Sequence, residues 1–292
     1  MNHANILQAG ALRWAVGSVV VLVLGMALYW APPLGLSRSG NSWQGYGLGA
    51  ATLFLVLVLS VLGMRKRAYQ ARGRVQNWVS AHIVLGVLVV PLAILHSGGQ
   101  LGWNVHSLAF VLLTLTSISG MVGLGLYLLV PGSLQNHRQM GDRQSLLSEL
   151  IELEERCADV SAGCSEDVRV ALESAFQLTE VQGSFWQTAF ALDRSMFERP
   201  VAGETRRQPN VGQRPLIEFL ASTAASVADD RETDALRRLV AANARRAELL
   251  RRLRRDLQLQ TLLDRWLLVH VPLTGGLLGA TAVHLFAVFF YW

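Results

Sequence analysis

The first 141 residues contain no aspartate or glutamate, and neither do residues 265–292. All 21 acidic residues of this 292-residue chain fall between Asp142 and Asp264. Charge of either sign is scarce: 16% of residues are Asp, Glu, Lys or Arg, while 51% are hydrophobic. A soluble domain carries about 25% charged residues. With a mean hydropathy of +0.33, this balance excludes a disordered chain, a collagen-like chain and an ordinary soluble enzyme, and points to a membrane protein. Cysteine is nearly absent as well. Cys157 and Cys164 are too few for a disulfide framework and are expected to stay reduced thiols. No glycine-rich phosphate loop and no dinucleotide fingerprint is present, which leaves no nucleotide or flavin site to expect. No repeat of solenoid length occurs either. The net charge of +5 comes from the stretches that lack acids, so it sets topology and does not signal nucleic acid.

Five apolar runs are long enough to cross about 30 Å of hydrocarbon. They lie at 12–32, 46–64, 78–97, 105–131 and 266–291. The first is longer than the apolar stretch of a secretory signal and has no small-x-small cleavage site before Pro32-Pro33, so it reads as a retained span. Basic residues set the expected orientation. Arg65, Lys66, Arg67, Arg72 and Arg74 crowd the loop 64–77, whereas loop 98–104 carries no charge. The positive-inside rule places 64–77 and the long insert on the cytoplasmic side, with the N-terminus inside and Trp292 outside. The third and fifth spans then run parallel. The expected fold is an all-α integral membrane protein of a bacterial-type inner membrane. Four spans fill 1–131, a cytoplasmic helical insert occupies 132–264, and a fifth span in 265–292 completes the bundle.

Residues 132–265 hold 19 Arg against the 21 acids, so the insert is nearly neutral. Leu146, Leu147, Leu150, Ile151 and Leu153 form a helical stripe over 142–157. Residues 166–198, with Phe176, Phe185, Trp186 and Phe190, also read as helical. Pro200, Gly203, Pro209, Gly212 and Pro215 mark 199–215 as a linker. Residues 231–264 lack Gly and Pro and predict a long helix running toward the last span. Its Leu236, Leu239, Val240, Leu249, Leu250 and Leu253 offer a face for the 142–157 helix or for a partner, and its arginines offer one for anionic lipid.

Histidine carries the chemistry. His82 and His96 lie fourteen residues apart in the third span, and His270 and His284 fourteen apart in the fifth. Fourteen residues come within about 40° of whole turns, so each pair shares one helix face, with about 21 Å between its members. On parallel helices His82 is then level with His270, and His96 with His284. That is the geometry of two stacked bis-imidazole sites, one near each membrane face, and imidazole is the usual nitrogen ligand of haem iron. No C-x-x-C-H is present, which excludes covalent c-type attachment. A zinc or copper ion would want ligands clustered at one depth with carboxylate or thiolate help.

The neighbours suit two haems. Trp78 and Trp266 each precede a histidine by four residues, giving W-x3-H-x13-H in both spans. Arg74 and Arg265 lie just outside, where they can meet haem propionates. Gly86, and Gly275, Gly276 and Gly279, together with Gly120, Gly123 and Gly125, let a flat macrocycle or another helix approach closely. His106 opens the fourth span. It could bind a propionate, help form a quinone pocket or replace an assigned ligand, and it equally suits an interfacial residue without a role. His137 reads as a loop residue and His3 as part of a loose terminus.

The pattern resembles the di-haem b-type cytochrome membrane subunits. In the cytochrome b of respiratory bc complexes, two histidines likewise stand on each of two parallel helices. The resemblance covers the third to fifth spans and implies bis-His ligation by His82 with His270 and by His96 with His284. It also implies transmembrane electron transfer. Two departures separate this chain from that cytochrome b: 133 residues (132–264) intervene between the fourth and fifth spans, and no Pro-Glu-Trp-Tyr segment occurs. They bring it nearer to the anchor cytochromes of modular redox complexes.

The expectation is therefore an electron-transfer subunit of a quinone-linked oxidoreductase complex, holding two haem b groups. Its partners would be a quinone or quinol and an extracytoplasmic c-type cytochrome or iron–sulfur subunit, with no nucleic acid. The alternative is a membrane anchor or receptor, with or without haem, whose helical insert assembles partner proteins.

Overall fold

The structure, a computed structural model, describes residues 11–30, 42–65, 72–129, 141–201 and 204–291. His3, His137 and most of the basic loop 66–71 lie outside them, as does the side chain of Arg74. The chain divides into two compact units, Met1–Gly132 with Leu263–Trp292, and Ser133–Leu262. The expected insert boundaries differ from these by a residue or two.

The first unit is built from α1 (Ala11–Trp30), α2 (Trp43–Arg65), α3 (Arg72–Ser97), α4 (Val105–Leu129) and the C-terminal part of α9 (Asp230–Tyr291). Among the described residues these five helices are long and apolar enough to cross a membrane. Their large apolar side chains point outward at Val16, Leu24, Phe54, Val87, Val111, Val283 and Phe289, which suits hydrocarbon rather than water around them. Several hydroxyls are satisfied within their own helices. Thr52 donates to the Leu48 carbonyl, Ser60 to Val56, Thr114 to Phe110 and Thr274 to His270, all at 2.8–2.9 Å, as a backbone in lipid requires. Helix α3 is central: α1, α2 and α4 all pack against it.

One buried cluster joins Val56, Val89, Ala93, Leu113 and Leu277. Val89 lies midway between His82 and His96, and Leu277 midway between His270 and His284. Seven residues are close to two turns, so both midpoints lie on the histidine face of their helices. The cluster therefore contains the midpoint residue of each histidine pair.

The second unit is mostly helical: α5 (Gly141–Ser161), α6 (Glu166–Gln177), the single turn α7 (Phe185–Ala189), α8 (Arg214–Ser226) and the N-terminal part of α9. It also contains two strands, which corrects the all-helical expectation. β1 (Met196–Val201) and β2 (Glu204–Pro209) pair antiparallel, with Met196 opposite Pro209 and Val201 opposite Glu204. Pro200 and Pro209 fall where an isolated two-stranded ribbon has edges to spare. The segment 166–198 is thus broken after Gln177, and 199–215 is a hairpin followed by a turn of 3-10 helix, not a linker. Phe197 is wholly buried and plugs the hairpin into a core of Cys157, Val168, Leu172, Leu216, Leu220, Leu236 and Leu239. Leu249 and Leu250 close on Leu150 of α5. The apolar face of the basic helix is therefore used up inside this unit.

Polar groups buried in this unit are tied together. Arg246, 1% exposed, donates to Glu154 at 2.7 Å and to Gln213 at 2.6 Å, and its guanidinium lies over the Phe176 ring at 4.5 Å. Asp193 accepts from the Ser195 hydroxyl, from the Gly212 amide and from Arg254, the last at 2.7 Å. Burial raises the affinity of Asp193 for its proton, but these donors outweigh it and leave the carboxyl below the usual range.

Candidate functional site

One end of the described bundle brings three imidazoles together. His96 ends α3, His106 opens α4 and His284 comes from α9. Ring centroids are 5.3 Å apart for His96 and His106, 5.0 Å for His106 and His284, and 6.3 Å for His96 and His284. One nitrogen from each ring lies within 4.8 Å of the others, and all three residues are half-buried. The expected meeting of His96 with His284 is present, and His106 joins it.

His96 is oriented by α2. Its Nδ1 stands 2.7 Å from the Gly45 carbonyl oxygen. A carbonyl only accepts, so Nδ1 carries the proton and Nε2 keeps the lone pair needed for a metal. The ring lies against Gly49, where a Cβ would fall 2.7 Å from Cε1. Only glycine lets the imidazole in. Gly45 and Gly49 are positioning residues that sequence reasoning missed. The spacing Gly45-x-Gly47-x-Gly49 on an apolar helix was their one signal, because small residues admit close neighbours.

His270 is held in a similar way by α4. Its Nδ1 lies 3.3 Å from the Ser119 hydroxyl. Trp266 stacks on the ring at 5.1 Å and 28°, and its indole N–H donates to the Ser119 carbonyl at 2.8 Å. That indole lies across Gly123, where a Cβ would come within 2.2 Å of it. Gly120 faces His270, with room for a Cβ 3.8 Å from Cε1. Gly123 therefore serves tryptophan packing, and Gly120 borders the imidazole. His82 is half-buried on the same face of α3 as Val89 and His96. Pro91 lies inside α3 between His82 and His96, and Pro272 inside α9 two residues beyond His270.

The other expected site residues divide. Gly86 lies on the histidine face of α3, one turn from His82, and a Cβ there would meet nothing within 4 Å. Gly279 is nine residues beyond His270, two and a half turns. It lies on the opposite face, exposed, with open space around its Cα. The geometry thus directs Gly279 away from the histidines. Arg265 is exposed, one residue before Trp266. Trp78 is exposed on α3, four residues before His82.

The donors fit haem on three counts. They are imidazoles, with no acid in residues 1–141 or 265–292. His96 is held through Nδ1 so that its Nε2 is left for a metal, and the His270 ring is held by the Ser119 hydroxyl. The 6.3 Å between the His96 and His284 centroids agrees with two imidazoles facing one metal from opposite sides, which puts centroids roughly 6 Å apart for metal–nitrogen bonds of about 2 Å. Comparison with protein-family models, with curated proteins and with solved structures finds no match for this chain.

Proposed function

We propose that this chain is a membrane-spanning di-haem cytochrome b. In this reading it passes single electrons between a quinone near one face of a bacterial-type inner membrane and a redox protein at the other. The observation that carries the reading is the meeting of His96 and His284, predicted from two equal spacings on two separate helices. Haem b bound here would supply a one-electron iron couple at each of two depths.

The chain's own residues do the rest. His96 with His284, and His82 with His270, provide the axial nitrogens. Gly45 and Ser119 fix ring orientation and raise imidazole basicity, as hydrogen-bonded outer partners do. The cluster of Val89, Leu113 and Leu277 keeps water from the space between the two levels. Arg74, Arg265 and Gly86 are the residues to test at the inner site. No carboxylate lies within the spans, so proton uptake belongs at the membrane surface and not in a relay through the bundle.

A single divalent ion would use the outer imidazoles alone. It would leave unexplained why a second pair repeats the same spacing and why His270 is oriented with such care. A haem-free anchor or receptor leaves both pairs unexplained.

The test is electron transfer in proteoliposomes holding ferricyanide inside, with a quinol added outside. The proposal expects quinol-dependent ferricyanide reduction that is abolished by His270→Ala. Liposomes in which the wild-type chain carries no more current than empty ones would refute it.

A further inference from the structure

We infer that His106 is a third ligand-grade imidazole of the outer site, able to take the place of His96 opposite His284. The inference rests on the haem reading above and extends it to a residue with no assigned role.

Three observations carry it. His106 is nearer to each of its neighbours than they are to one another: 5.0 Å to His284 and 5.3 Å to His96, against 6.3 Å between those two. One of its nitrogens already lies within 4.8 Å of theirs, close enough for the three to share one metal. It comes from a third helix, so removing His96 from α3 leaves it in place. Its backbone is fixed by a closed turn: Asn104 Oδ1 accepts from the Ser107 amide, and the Ser107 hydroxyl accepts from the Gly102 amide, both at 2.9 Å. Such a cap defines where a helix begins and holds His106 in the first turn of α4.

The Gly45 carbonyl decides which imidazole is bound at rest. It orients His96 with Nε2 free, and the His96–His284 separation already matches a facing pair. His106 then stands beside that pair as the reserve. The inner site, built from His82 and His270, has Ser119 and Trp266 around it, and neither is an imidazole that can step in.

Haem is counted per full-length chain by pyridine haemochrome, with low-spin signals read by electron paramagnetic resonance. The variants are His96→Ala, His106→Ala, the double variant and His270→Ala. The inference expects two low-spin haems in both His96→Ala and His106→Ala, with an altered outer signal in His96→Ala. It expects one haem in the double variant and one in His270→Ala. The inner haem is the internal control for folding, and His96→Gln repeats the measurement with a bulkier side chain. One haem in His96→Ala and in His96→Gln, with two in the wild type, overturns the role of His106 and leaves the di-haem reading standing. No haem in the wild-type chain overturns both.

Discussion

Val89 and Leu277 lie in one buried cluster, and each is seven residues from a histidine on either side. This relationship puts the midpoint of each histidine pair in one packed patch between the two histidine levels. A bulky polar residue at either position would disturb both histidine levels at once. Leu277→Asn is expected to lower haem content at the inner and outer sites together. The same change at the lipid-facing Val283, exposed on α9, should leave haem content unchanged. Haemochrome counts on the two variants make the comparison.

Gly49 is the contact that admits His96. Adding a methyl group there places it 2.7 Å from the imidazole Cε1, well inside van der Waals contact. Gly49→Ala should therefore shift the outer low-spin resonance signal and leave the inner signal as in the wild type. An unchanged spectrum would show that the ring is not seated against α2.

Ser119 hydrogen-bonds to the ring of His270. If the hydroxyl accepts from Nδ1–H, its loss makes the imidazole a weaker donor and favours reduced iron. Ser119→Ala is expected to raise the midpoint potential of the inner haem and leave the outer one unchanged in a redox titration.

In the second unit, Arg246 is a side chain whose loss is costly. It is buried and satisfies Glu154 and Gln213 together. Arg246→Ala strands both partners and should destabilise this unit by about 3 kcal/mol, the cost of breaking a buried pair from one side. Thermal unfolding followed by circular dichroism of the full chain in detergent would measure the drop.

Asp193 gives this unit its acid sensitivity. Its folded carboxyl is held below the usual range despite burial, by Ser195, Gly212 and Arg254. A depressed carboxyl contributes stability that is fully present above its unfolded value, about 3.9, and is lost as pH falls through the folded value. Asp193→Asn should be less stable at pH 7, and its stability should fall less than that of the wild type between pH 5 and pH 3.

Much of this was legible in the residues. The five apolar runs match five helices because length and hydropathy alone decide them. Equal spacing placed His96 with His284 because an α-helix repeats so regularly. The hairpin was not legible: Pro200 and Pro209 signal breaks, and the one strongly apolar residue at the hairpin's core contact, Phe197, gives no alternation to read. His106 was weighed as a replacement ligand but left without an assigned role, because it belongs to no repeated spacing. Its place depends on the length of the turn between α3 and α4, where Gly98 and Gly99 adopt positive φ of 59° and 76° and bring the next helix back beside His96. Gly45 and Gly49 were invisible for a similar reason, since their role lies in what α3 presses against them.

The central claim is that each chain holds two b-type haems between α3 and α9. The most direct test is a dithionite-reduced minus air-oxidised spectrum of the purified chain, with a pyridine haemochrome count per polypeptide. The account predicts two haems per chain and a sharp low-spin α band, falling to one haem in His82→Ala and in His270→Ala. A well-folded preparation without haem, or one whose haem content ignores both substitutions, would contradict it.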